Sequence, residues 1–198
     1  MHAARGVPRC PSGYLFIPPC VQQGVTMQTI EGDILSFSEY LELTSKPPAD
    51  PVVWKWESIE SMTRSRPHNP QGTLALSGGR VDEHGTVAPD LSLVIQVLKP
   101  GEMTERHRHS FWHLYIVHSG SGEMAFGEDQ TCERLVPGDT VFVPAWGYHA
   151  IGNPSGTEPF VLFRLQNLPQ NASSGNLMRE IQGELQIIYA GAGLASHR

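Results

Sequence analysis

Residues 100–122 read PGEMTERHRHSFWHLYIVHSGSG, and residues 138–153 read GDTVFVPAWGYHAIGN. The first stretch brings His107, His109 and His113 close together, and the second adds His149. Neutral imidazole is the commonest side-chain ligand of divalent iron, nickel, copper, zinc and manganese. The first three histidines are all odd-numbered, and residues of one parity share one face of a β-strand. The spacing therefore predicts three imidazoles on one side, with a fourth from a neighbouring strand able to close a metal site. A lone histidine in an apolar strand is usually structural, but four at these spacings are poorly explained that way.

The same parity sorts the rest of the stretch. His107, His109, Phe111, His113, Tyr115 and Val117 take one face, and Arg108, Ser110, Trp112, Leu114, Ile116 and His118 take the other. The odd face is polar at one end and apolar beyond it, which suits the lining of a small barrel that holds one ligand. The even face is too apolar for open solvent, so it is expected to pack against the N-terminal segment or a second subunit.

The surrounding chain favours short strands. It has 198 residues, enough for one domain with decorations. Its 20 glycines and 16 prolines are scattered as turn punctuation. Strand-like runs and turns recur from residue 91: LSLVIQVLKPG, then RHRHSFWHLYIVHSGSG as a strand pair or one long bent strand. A hairpin in EMAFGEDQTCERLVPGDT, then TVFVPAWGYHAIGN and PFVLFRLQN, complete the series. No βαβ alternation occurs, which disfavours a parallel sheet. The chain is expected to divide into an irregular arm over 1–26, an N-terminal extension over 27–90, a barrel core over 91–170 and a C-terminal extension over 171–198. Met27 is an alternative start. SFSEYLELTS, residues 36–45, suits a short helix capped by Ser36. VVWKWESIESM, residues 52–62, suits a strand or a short helix, and MREIQGELQIIYA, residues 178–190, a helix or a terminal strand.

Composition excludes several partners. The net charge is −6 and basic residues form no long run, which argues against nucleic acid. No apolar run reaches the ~18 residues of a membrane span, and no signal peptide is evident. Cys10, Cys20 and Cys132 match no zinc motif and no disulfide framework. A cytoplasmic protein is expected, in which the sequon at Asn171 has no meaning.

Residues 101–153 resemble the two motifs of the cupin superfamily. Gly101, His107, His109 and Gly120 fit the first motif, with His113 where the family has glutamate. Gly138, Pro144, His149 and Asn153 fit the second, with Trp146 where the family has glycine. LKPGE, HRHS, VPAWGYH and the upstream PVVWKWESI are similar to the gentisate and 1-hydroxy-2-naphthoate dioxygenases. Those enzymes are usually two-cupin chains about twice this length, and they have a small residue at the position of His113. The resemblance implies an all-β fold, a single double-stranded β-helix (jelly-roll) barrel with a short N-terminal helical decoration, and the expected sites follow from it. His107, His109, His113 and His149 are the candidate ligands of a divalent metal, Fe(II) first, with Ni, Mn, Cu or Zn as alternatives; His113 could instead orient another group.

The activity implied is O2-dependent oxidation, with C–C cleavage, of a small hydroxylated aromatic or β-dicarbonyl substrate by a homodimer. A metal-dependent lyase or isomerase, and a small-molecule binding module without turnover, are the alternatives. Phe111, Tyr115, Phe142, Trp146 and Arg164 are candidate substrate contacts, and the Tyr115 hydroxyl is a candidate catalytic group. Arg164 would bind a carboxylate if it faced the barrel, but an outward, solvated placement is expected. Gly101, Gly120 and Gly138 are read as turn glycines.

Overall fold

The computed structural model describes residues 32–45, 50–78, 85–154 and 157–188. The expectations that concern the 1–26 arm, Met27, Cys10 and Cys20 lie outside the described residues. The chain divides into two compact units, residues 1–47 and 48–198.

The first unit contains helix α1 (Phe37–Thr44). Ser36 caps it as its sequence suggests. The Ser36 hydroxyl accepts from the Glu39 backbone N–H, and the Glu39 carboxylate accepts from the Ser36 N–H. This reciprocal pair satisfies two otherwise orphaned donors of the first turn.

The second unit opens with α2 (Trp56–Ser65), so the Trp-rich segment is a helix. Among the described residues eleven strands follow: β1 (Leu74–Leu76), β2 (Ser92–Leu98), β3 (His107–His109), β4 (His113–Ser119), β5 (Gly122–Phe126), β6 (Thr131–Leu135), β7 (Thr140–Val143), β8 (His149–Gly152), β9 (Phe160–Gln166), β10 (Met178–Ile181) and β11 (Glu184–Ile187). A short helix, α3 (Leu168–Ser173), interrupts them before β10 and was not foreseen from the sequence. One sheet runs β1-β2-β9-β4-β7 and the other β11-β10-β3-β8-β5-β6, with every pairing antiparallel. The C-terminal segment is therefore a hairpin, and β10 joins the sheet beside β3.

Two apolar layers hold this arrangement. Leu98, Tyr115, Val117, Met124, Leu135, Val143, Ile151, Phe160 and Leu162 fill the space between the sheets. Leu98, Met124, Phe160 and Leu162 are wholly buried, each stabilising the fold by roughly 1.5–3 kcal/mol relative to exposure. On the outer side of β2 and β9, Ile59 of α2 joins Leu76, Ile95 and Val161, with Trp54 and Trp56 packed against them. Alternate residues of β2 and β9 thus serve two cores, which explains their nearly unbroken apolar runs.

Turn glycines set the corners. Gly120 has φ +72°, and a Cβ there would lie 2.2 Å from the Pro159 carbonyl oxygen. Only glycine fits that approach. Trp146, at the family's glycine position, adopts φ +62° instead, and its N–H donates to the His109 carbonyl at 2.7 Å.

Candidate metal centre

The HRHSFWH stretch is a strand pair. It breaks at Ser110–Trp112, leaving His107 and His109 on β3 of one sheet and His113 at the start of β4 in the other. The histidines meet across the barrel rather than along one strand. His149, first residue of β8, pairs in register with His107, and their rings stand 4.4 Å apart. His109 lies 5.1 Å from His149 and 4.3 Å from His113, ring to ring. All four are buried.

Each imidazole is held by its Nδ1. That atom lies 2.7 Å from the Glu105 carbonyl in His107, 2.5 Å from the Phe111 carbonyl in His109 and 3.0 Å from the Gly147 carbonyl in His149. A carbonyl only accepts, so Nδ1 carries the proton and Nε2 keeps its lone pair. In His113, Nδ1 lies 2.7 Å from the Tyr115 hydroxyl. The Nε2 atoms of His109, His113 and His149 are buried without a hydrogen-bond partner. Buried polar atoms are seldom left so, and aligned lone pairs are what a metal requires.

The electrostatics agree. Burial, reinforced by His149, pushes His107 down to about 3. Burial pushes His149 down to about 4, against the opposing pull of its Gly147 hydrogen bond. It also lowers His109 and His113, with Arg164 the next largest influence on His113. All four are neutral at pH 7, the form that binds metal. The ligating nitrogens of His107, His109 and His149 lie within 4.8 Å of one another, close enough to share an ion; His113 stands outside that group.

The other expected residues divide. Phe111 is buried and stacks flat on His109, with centroids 3.9 Å apart. Tyr115 is 1% exposed, and burial raises its hydroxyl pKa while Arg164 opposes the rise. Arg164 faces inward, contrary to the outward placement expected. It pairs in register with Tyr115, so both share the inner face. Its Nη1 donates to the Gln71 carbonyl at 2.8 Å and to Gln96 Oε1 at 3.3 Å. A guanidinium in a strand of Phe, Val and Leu reads as solvated unless its partners are known, and those come from elsewhere in the chain. Phe142 is corrected in the other sense: it lies outside the barrel, 59% exposed, its ring beside Trp112. Even parity placed Trp112 outward, and Phe142 pairs with Leu114 on that same outer face. Trp146 is 38% exposed, with the Arg108 guanidinium 5.9 Å from its ring. His118, on the outer face, packs 3.9 Å from Trp56, so the segment before the barrel does cover part of that face.

Three inward polar residues were not singled out from the sequence. Gln96 donates to the Pro70 carbonyl at 2.7 Å, and Gln166 donates to the Ser92 hydroxyl at 3.0 Å while its Oε1 stays buried and unpartnered. Arg179 on β10 pairs in register with His109. The signal for the two glutamines was available: each is an uncharged polar residue in a strand otherwise mostly apolar, beside Ser92 in β2 and Arg164 in β9. A groove of about 740 Å³ between α2 and the barrel lies elsewhere; none of the four histidines lines it.

Residues 94–165 match the family model described as the cupin domain. This chain carries a cupin domain. The cupin segment contains all four histidines. The chain is 27% identical over 126 residues to a 5-nitrosalicylic acid 1,2-dioxygenase of a Bradyrhizobium species, covering 59% of this chain and 60% of that one. It is 35% identical over 85 residues to a 5-aminosalicylate 1,2-dioxygenase of a Comamonas species, covering 43% of this chain and 22% of that one. The structure of a salicylate 1,2-dioxygenase from Pseudaminobacter salicylatoxidans superposes with a TM-score of 0.63 at 21% identity, over 72% of this chain and 43% of that one. The chain thus spans less than two thirds of the length of these relatives. The cupin chain is a β-sheet metalloprotein candidate that resembles these dioxygenases, and among its described residues no helix is long and apolar enough to cross a membrane.

Proposed function

We propose that this cupin is a metal-dependent dioxygenase acting on a small hydroxylated aromatic or β-dicarbonyl compound. The observation that carries the reading is the set of four imidazoles whose Nδ1 atoms are held, three of which, His109, His113 and His149, have buried Nε2 atoms without partners. The dioxygenase names of the similar chains supply the reaction class. His107, His109 and His149 would hold the metal, with His113 joining from the opposite sheet. When bound, iron(II) would supply the redox chemistry that O2 requires and polarise a substrate oxygen.

The chain's own residues have separate tasks. Phe111 excludes water from one face of His109. Tyr115 fixes His113. Gln166 offers its free Oε1 to a substrate hydroxyl. Arg164 places a positive charge on the same inner face. Substituting His113 for a carboxylate leaves the four-histidine set neutral, so a bound dication keeps its charge and favours an ionised, oxygen-rich substrate.

Ile116 and Phe142, 44% and 59% exposed on the outer face of neighbouring strands, support a homodimer. The functional test is anaerobic purification, loading with Fe(II), and O2 uptake on phenolic acids, catechols and β-diketones, with 18O2 incorporation read by mass spectrometry. Label entering product, lost in His107→Ala, supports the dioxygenase. Turnover without O2, and with Zn(II), would replace it by a lyase or isomerase.

A further inference from the structure

Arg179 presents a guanidinium edge without a hydrogen-bond partner. In the β3–β10 pair it lies opposite His109, and Ile181 lies opposite His107. Residues directly opposed in an antiparallel pair share a face, so Arg179 takes the histidine side. Its neighbour Glu180 takes the other side, where it is spent on Arg108 and on the Tyr148 hydroxyl. Arg179 Nε and Nη2 are both buried without a hydrogen-bond partner. Those two N–H groups form one edge of the guanidinium, the same edge with which Arg108 grips Glu180 at 3.0 and 2.6 Å. An unpartnered buried donor is costly, the more so on a charged group, and a carboxylate matches this edge with two parallel bonds.

Arg164 adds a second cation from the opposite sheet. Its Nη1 is committed to Gln71 and Gln96, but its Nε is buried and unpartnered. The field of Arg164 helps to lower the pKa of Arg179, after burial as the main cause, so the two charges act on one region. The buried polar side chains of the inner face, Ser92, Gln96, the four histidines and Gln166, are neutral. Glu105, the carboxylate whose charge acts on Arg179, is exposed. Two guanidinium groups thus face a site where, among the described residues, no buried carboxylate shares their face.

We infer that this barrel takes an organic dianion, with one carboxylate seated on the Nε–Nη2 edge of Arg179 beside Arg164 and a second anionic group turned toward the histidines. The seat on Arg179 stands on the arginine geometry alone; the second contact rests on the metal reading of the proposed function. Arg179 lies beyond the segment that matches the cupin model, so the specificity is supplied by the C-terminal hairpin.

The experiment is calorimetric titration of the full chain, metal-free and reconstituted with redox-inert Zn(II), using two matched pairs: glutarate against butyrate, and isophthalate against benzoate. In the zinc protein at least one diacid should bind about tenfold or more tightly than its monoacid, the worth of one further charge-assisted pairing. In metal-free protein the monoacids should still bind, and Arg179→Gln should abolish that binding. Arg179→Lys keeps the charge but loses the fork, and should weaken it by a smaller factor. Circular dichroism and zinc stoichiometry verify that the variants fold. Equal affinity for both members of each pair in the zinc protein would overturn the dianion. Unchanged monoacid affinity in the folded Arg179→Gln and Arg179→Lys proteins would overturn the seat, whatever the zinc site does.

Discussion

Replacing Tyr115 by phenylalanine removes one oxygen from a residue that is 1% exposed and whose hydroxyl lies 2.7 Å from His113 Nδ1. The ring volume is kept, so the change isolates the hydrogen bond. Leaving His113 Nδ1 buried without its partner should cost about 1–3 kcal/mol, a fall in melting temperature of roughly 2–4 °C per kcal/mol for a chain of this size. A second effect follows if His113 is a ligand. Without the hydroxyl, neither the tautomer nor the ring orientation is fixed, and loss of such a supporting contact typically costs about 10–100-fold in metal affinity. Urea unfolding of metal-free protein reads the first effect and zinc competition with a chromophoric chelator reads the second. The account predicts both. Reduced stability with unchanged zinc affinity would refute His113 as a ligand, and no change in either would refute the Tyr115–His113 bond itself.

Leu162→Ala, at a wholly buried position between the sheets, should lower unfolding free energy by about 2–5 kcal/mol, read as a shifted urea midpoint with an unchanged slope. Gly120→Ala combines a left-handed backbone with a Cβ 2.2 Å from the Pro159 oxygen; it should destabilise by more than the ~1 kcal/mol by which alanine stabilises at a compatible glycine site, and a neutral result would contradict the turn geometry. The buried histidines also set a pH dependence. Their folded pKa values lie below the ordinary 6.5, His107 at about 3 and His149 at about 4, so the native state binds fewer protons than the unfolded chain in between. Stability of the metal-free protein should be complete above pH 6.5 and should fall as pH drops toward 4, by about 1.4 kcal/mol per pH unit for each histidine. Urea midpoints that do not move between pH 7 and pH 5 would contradict neutral burial.

The barrel was legible because its signals are local. Turn glycines, alternating strands and the H-x-H spacing each act over a few residues, and the Ser36 cap needs only Glu39 three positions on. The convergence of His107, His109 and His149 was readable for the same reason: parity orients the first two, and the second motif supplies the third. Long-range partners were not readable. The break after His109 puts His113 in the opposite sheet, which parity along one strand cannot anticipate. Arg164 was expected in solvent because nothing near it in sequence offers an acceptor, whereas Gln71 and Gln96 do so in space. Phe142 was expected inside because an aromatic strand residue usually is, yet its register with Leu114 turns it outward. Arg179 escaped notice because MREI fits a helix or a strand equally well, and only pairing of β10 with β3 gives it a face.

The most direct measurement is X-ray absorption at the iron K-edge on anaerobically loaded protein, with iron quantified per chain. The account predicts one Fe(II) per chain with imidazole scattering from four histidines near the usual ~2.0–2.2 Å metal–ligand distances, reduced by one imidazole in His113→Ala and lost with the iron in His149→Ala. Substoichiometric iron in a light-atom shell without imidazole scattering, unaltered by either substitution, would contradict the claim that these histidines form a metal centre.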